Sequence, residues 1–141
     1  MVEEHVIRLR SAWEWVEALD ETNSPRPAER FALPLRWTDL EPQKRVKPLR
    51  MRRRFGAPPH EPEHQRVIVR LESTPGLLEV RLNGRIVEPT TDSRDRPILE
   101  GPWRPRNVLE LVTDPRQWPD PEAPWGGQIT VVVQPLHAQT V

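Results

Sequence analysis

Arg66-Val67-Ile68-Val69-Arg70-Leu71-Glu72, then Leu77-Leu78-Glu79-Val80-Arg81-Leu82, then Asn83-Gly84 into Arg85-Ile86-Val87: these residues decide the fold. In the second run, Leu78, Val80 and Leu82 alternate with Glu79 and Arg81, the period of a half-buried strand. Asn-Gly supplies the two positive-φ positions of a type I′ turn, so the second and third runs form a hairpin. A further alternating run, Asn107-Val108-Leu109-Glu110-Leu111-Val112-Thr113, follows a connection broken by prolines.

Outward from this centre the same pattern recurs. Gln128–Gln134 places Ile129, Val131 and Val133 on one face. Pro48–Phe55 sets Leu49, Met51 and Phe55 against Arg50, Arg52 and Arg54, with Arg53 the exception on the inward face. Val6–Arg10 alternates weakly, as an edge strand does. Ser11–Leu19 supports two readings: a helix, with Ser11 and Glu14 at capping-box spacing, or a strand with Trp13 and Trp15 on one face. Phe31–Trp37 contains Pro34 and reads as an irregular edge piece. Glu88–Pro97 reads as a polar loop without periodicity, Ile98-Leu99 as a brief apolar return, and Asp114–Gly127 as a long loop holding Trp118 and Trp125. Eight or nine short strands with no sustained helix predict an all-β fold, a single antiparallel β-sandwich over residues 1–141. The expected core is Trp15, Leu49, Met51, Phe55, Val67, Val69, Leu71, Leu78, Val80, Leu82, Leu109, Leu111, Ile129, Val131 and Val133.

Composition narrows the function classes. The 141 residues carry zero net charge, so no global field draws the chain to nucleic acid or a membrane. The one dense charge run is Lys44–Arg54, seven bases and no acid. Cysteine is absent, which removes disulfides, thiolate metal sites and a cysteine nucleophile. The acidic start, Met-Val-Glu-Glu-His, lacks the features of a signal peptide, and no apolar run reaches membrane-span length, so a cytoplasmic location is expected. Eighteen prolines against six glycines indicate stiff connections between short strands.

Few motifs carry chemistry. His60-Glu61-Pro62-Glu63-His64 spells the zinc-protease pattern, which requires both histidines on one helical face. Pro58, Pro59 and Pro62 forbid that helix, so the stretch reads as a solvated loop with no metal. Arg50, Arg52 and Arg54 on one strand face are an anion-binding candidate, set against a plain outer sheet face neutralised by neighbouring acids. No aromatic is interleaved among them, which argues against nucleic acid. Trp118 and Trp125 are read either as a platform for stacking on sugar rings or as a plug for one end of the sandwich. Asp92 and Asp95 lack a clear calcium loop. No nucleophile–base arrangement and no particular carboxylate pair stands out, so no catalytic residue and no cofactor is expected.

The order of landmarks resembles the N-terminal sugar-binding domain of family 2 glycoside hydrolases. Leu9-Arg10-Ser11-Ala12-Trp13-Glu14-Trp15 matches its opening strand, Leu33-Pro34-Leu35-Arg36-Trp37 the Pro–Trp piece, and Met51–Pro58 the Arg–Phe–Pro segment. Val67–Leu71, Pro75-Gly76 and Val80-Arg81-Leu82-Asn83-Gly84 match its central signature, and Ile98 with Pro105–Leu111 its close. Pro89–Arg96 departs from the Gly-rich or aromatic stretch usual there. The resemblance implies a galactose-binding-like jelly roll and tips Ala12–Leu19 to strand. It also implies a non-catalytic module, since the family's catalytic carboxylates lie on a separate barrel. Carbohydrate is the implied ligand, with Trp118, Trp125, Asp92, Asp95 and Arg96 the expected contacts. The alternative is a protein-interaction or assembly scaffold without a small ligand, and an anion-binding role stands third.

Overall fold

The computed structural model describes residues 4–16 and 29–136. These fold as two antiparallel sheets packed as a sandwich. Eleven strands are described: β1 His5–Arg8, β2 Trp13–Trp15, β3 Arg30–Phe31, β4 Leu49–Gly56, β5 Gln65–Glu72, β6 Leu77–Leu82, β7 Arg85–Ile86, β8 Thr90–Thr91, β9 Pro97–Leu99, β10 Arg106–Thr113 and β11 Gln128–Pro135. One sheet runs β1-β11-β5-β9-β8 and the other β3-β2-β4-β10-β6-β7. Helix among the described residues is confined to short 3₁₀ turns, and none is long and apolar enough to cross a membrane.

Alternation does what period two requires. Val67, Val69 and Leu71 of β5 and Ile129, Val131 and Val133 of β11 face Leu49 and Met51 of β4, Leu109 and Leu111 of β10, and Val80 of β6. Trp13 is wholly buried and donates its indole N–H to the Leu9 carbonyl at 2.7 Å, which settles that stretch as strand. Residues 17–19 of the same expected strand lie outside the described residues. Asn83 and Gly84 both take positive φ (53° and 83°), as the type I′ hairpin demands.

Three expectations are corrected. Leu78 does not join the core. The register between β6 and β10 slips between Val112–Glu79 and Thr113–Leu77, and this bulge turns Leu78 outward to 51% exposure while Leu77 packs inward. Glu88–Pro97 is not all loop: Thr90–Thr91 pairs with β9 as a short edge hairpin. The strand count is also higher, because two-residue strands such as β3 and β7 carry too little sequence to show a period. Phe55 is only half-buried, at the core's margin against Trp103.

Arg53 does face inward. Its guanidinium is satisfied by the Ser11 carbonyl at 2.7 Å, and burial lowers its pKa. The His60–His64 stretch is loop and turn, as its prolines require.

Candidate functional site

The loops 73–76, 92–96, 35–48 and 114–127 gather at the end of the sandwich where β5 finishes. All five residues expected to touch a ligand lie there, yet most of their polar capacity is spent within the protein.

Of the two readings of Trp118 and Trp125, the plug holds and the open platform does not. The two residues are 8% and 1% exposed, stacked on one another with centroids 5.5 Å apart and planes 12° off parallel. The Trp118 indole N–H donates to the Thr113 hydroxyl (2.9 Å) and that of Trp125 to the Pro75 carbonyl (2.8 Å). The loop sequence explains the inward turn. Asp114 caps the 3₁₀ turn Pro115–Gln117 and grips Arg116, and its backbone N–H reaches the Gly76 carbonyl at 2.9 Å. A Cβ on Gly76 would stand 2.7 Å from the Asp114 carbonyl oxygen, so only glycine lets the two loops close. The Arg116 side chain, first through its hydrogen bonds, holds the Asp114 carboxyl below its ordinary range.

Asp92 and Arg96 are also engaged. Asp92 accepts from the backbone N–H of Arg94 (2.9 Å) and Arg96 (3.0 Å) and from the Arg96 guanidinium (2.8 Å). Burial works to raise the Asp92 carboxyl, but these hydrogen bonds outweigh it and hold it low. Arg96 also lies 3.8 Å from Glu72, stapling the β8–β9 tip to β5. Asp95 sits exposed at the tip with φ 57°. Among the described residues, no group of three or more His, Asp or Glu side chains is placed to hold a metal.

Arg50, Arg52 and Arg54 share the outer face of the six-stranded sheet, as their spacing predicts. Register lines up Glu14, Arg52, Glu110 and Arg81 in one row across β2, β4, β10 and β6. Arg52 reaches Glu14 at 3.4 Å, and Glu79 lies 2.7 Å from Arg81 and 3.9 Å from Arg50. Arg54 is exposed opposite Val108. Arg50 further lines, with Lys44, Lys47 and Trp15, a depression of about 370 Å³. The Lys44 ammonium stands 5.4 Å over the Trp15 ring there.

The aromatic surface that the molecule offers lies elsewhere on the same end. Trp37 and the outer edge of Trp118, with Val46, Pro115 and Pro121, line an open concavity of about 440 Å³. Arg45 and Arg116 form its polar side. The Arg45 guanidinium lies 4.4 Å over the Trp37 ring, donates to the Thr38 carbonyl at 3.1 Å, and keeps its Nε buried without a partner. The Arg36 guanidinium to Glu122 carbonyl bond (3.0 Å) and the Thr38 N–H to Pro121 carbonyl bond (3.3 Å) fix the two walls together. Sequence reading missed Trp37 as a site residue because its wall is built by a loop nearly eighty residues away from Trp118's.

No protein-family model matches the chain, and neither does any curated protein. Among solved structures, the chain is similar to an FMN-binding β-glucuronidase from Facaelibacterium prausnitzii L2-6 (18% identity, TM-score 0.61, 92% of this chain and 22% of that one). It is also similar to a β-D-glucuronidase from Dictyoglomus thermophilum (13% identity, TM-score 0.60, 94% of this chain and 28% of that one). The chain thus spans about a quarter of the length of the proteins it matches. At these identities the likeness is one of fold, and the fold read from the residues has its counterpart in β-glucuronidases: a galactose-binding-like jelly roll.

Proposed function

We propose that the chain is a non-catalytic carbohydrate-binding module whose sugar-contacting surface is the Trp37 concavity. The observation that carries this reading is the concavity itself: two indoles and two prolines floor it, and two guanidinium groups stand at its side. Sugar rings present apolar C–H faces ringed by hydroxyls, and an indole beside fixed N–H donors complements both. Arg45 holds the Trp37 ring in place, so little ordering is lost on binding. Fold likeness to parts of β-glucuronidases agrees with this reading and names no sugar. Of the five contacts expected from sequence, Trp118 remains, by its edge. Asp95 at the β8–β9 tip is the other side chain there still open to solvent. The cysteine-free composition suits a reducing compartment, and we place the module in the cytoplasm.

A tryptophan-fluorescence titration with the neutral saccharides maltotriose and cellotriose tests it. Saturable binding by at least one, weakened about tenfold by Trp37→Ala, is the expected result. Silence for both, or equal affinity in the variant, overturns it.

A second reading, an assembly scaffold, is favoured by one observation. β1 is an edge strand whose Val6 and Ile7 are both about half exposed, a surface suited to pairing with another strand. Concentration-dependent sedimentation that Val6→Lys abolishes is its expected signature.

A further inference from the structure

The outer face of the five-stranded sheet carries a separate depression of about 350 Å³. It lies over Gln128 and Thr130 of β11 and the Gly127 just before it, between Arg8 and Arg10 on one side and Arg70 and Glu72 on the other. Register places these groups on one face: Arg8 is opposite Thr130, and Thr130 opposite Arg70. Arg8 and Arg10 are exposed and form no ion pair with a described residue. Glu72, the one acid in the lining, is drawn toward Arg96 at 3.8 Å.

Arg70 is the unusual member. It is 7% exposed, and its two terminal nitrogens donate to the two oxygens of Glu4 at 3.1 and 3.0 Å, while its Nε is buried without a partner. A paired fork of this kind is the geometry by which arginine recognises a carboxylate. Here the carboxylate belongs to the residue just before β1, and it reaches Arg70 across the whole of β11. Among the described residues β1 pairs on one side alone, and all four of its residues are exposed, so the segment that seats Glu4 is the kind that opens first. A buried guanidinium left alone is costly, so an incoming carboxylate that replaces Glu4 meets a site already built. Hydrogen bonding from Arg70, aided by the fields of Arg70, Arg96 and Arg94, outweighs burial and holds the Glu4 carboxyl below its ordinary range.

We infer that this depression is a second saccharide site, selective for a uronate, whose carboxylate takes the place of Glu4 on Arg70 while Arg8 and Arg10 hold the adjoining oxygens. The inference rests on the carbohydrate reading but uses none of the Trp37 residues. Glu4 then acts as a tethered competitor, present at high effective concentration, and sets the affinity of the site.

Calorimetric titration of the full chain with trigalacturonate, and with maltotriose as the neutral counterpart, tests it at low and high salt. Trigalacturonate binds, Glu4→Gln tightens it about tenfold or more by removing the competitor, and the surface pair Arg8→Ala/Arg10→Ala weakens it by a similar factor. Added salt weakens it as well. Unaltered affinity in both Glu4→Gln and the arginine pair overturns the site, as does a trigalacturonate affinity no better than that for maltotriose. Maltotriose binding that Trp37→Ala abolishes, without trigalacturonate binding, removes this inference and leaves the Trp37 reading standing. No binding of trigalacturonate, maltotriose or cellotriose removes both. Thermal melts accompany each variant; the exposed arginine pair decides the matter if Glu4→Gln does not fold.

Discussion

The two outer faces of the sandwich use arginine in opposite ways. On the six-stranded sheet, β4 delivers three arginines in a dense run, and register sets an acid beside two of them. On the five-stranded sheet, Arg8, Arg10 and Arg70 are scattered over sixty residues of sequence, and the β1-β11-β5 order brings them to one depression. The dense run therefore has two of its three arginines beside an acid, and the scattered set has one, Arg70. Charge density along a chain reports local repulsion, whereas charge density in space depends on which strands lie side by side.

The faces differ in hydrophobicity too. Ile68, Ile98 and Val132 lie on the outer side of the five-stranded sheet, yet Ile68 is 0% exposed, so that face has a small core of its own. Ile68→Ala is expected to cost about 2–5 kcal/mol, as for a residue of the main core. Val112→Ala, on the half-buried outer face of the other sheet, is expected to cost no more than about 1 kcal/mol. Chemical denaturation of both variants measures the gap. Equal costs would show that the two faces are covered alike.

Arg70→Met comes next, at about 1.5–3 kcal/mol, because it strips a charge-assisted fork and leaves Glu4 without its partner. Arg52→Met, on the more exposed face, is expected to cost under about 1 kcal/mol. Urea midpoints at one pH and salt concentration make the comparison, and a larger loss for Arg52 would reverse it.

These contrasts explain what was legible in the sequence. The hairpin at Asn83-Gly84 and the strands β4, β5, β10 and β11 were readable because local periodicity and turn chemistry act within a few residues. The bulge at Leu78 was not, since it is set by how β10 meets β6, and nothing within Leu77–Leu82 records it. Trp118 and Trp125 were correctly placed at one end, but their direction depended on remote partners: Thr113 and Pro75 supply the acceptors that draw the indoles inward. Trp37 and the Arg70–Glu4 fork were missed for the same reason. Each becomes a site only when distant segments meet, and a single arginine or tryptophan in a polar stretch carries no mark of that.

Acid titration separates the faces by a different property. The folded-state carboxyls of Glu4 and Asp92, both tied to the five-stranded sheet, lie below their ordinary values. Their contribution is therefore fully present above the unfolded-state values, about 4, and is lost as pH falls through the folded ones. Asp92→Asn is expected to cost about 1–3 kcal/mol at pH 7 and progressively less as the pH falls, because the wild type loses the same interaction on protonation. A cost that does not shrink between pH 6 and pH 3 would show that Asp92 matters for its shape rather than its charge.

The smallest effect expected is on the row Glu14–Arg52–Glu110–Arg81. Its members are partly exposed and in register, so each pair gains modest Coulomb energy against water and side-chain entropy. A double-mutant cycle on Arg52→Gln and Glu110→Gln is expected to return a coupling of about 0.2–1 kcal/mol, falling in 0.5 M salt. The same salt should weaken the Arg70–Glu4 coupling by a smaller fraction, because Arg70 is buried although Glu4 is partly exposed. The triple variant Arg50→Gln/Arg52→Gln/Arg54→Gln should also leave trigalacturonate affinity where it was. A tenfold drop in that affinity would show that the dense run, and not the scattered one, holds the anion. The acids beside Arg50 and Arg52 would then leave those arginines open to a ligand.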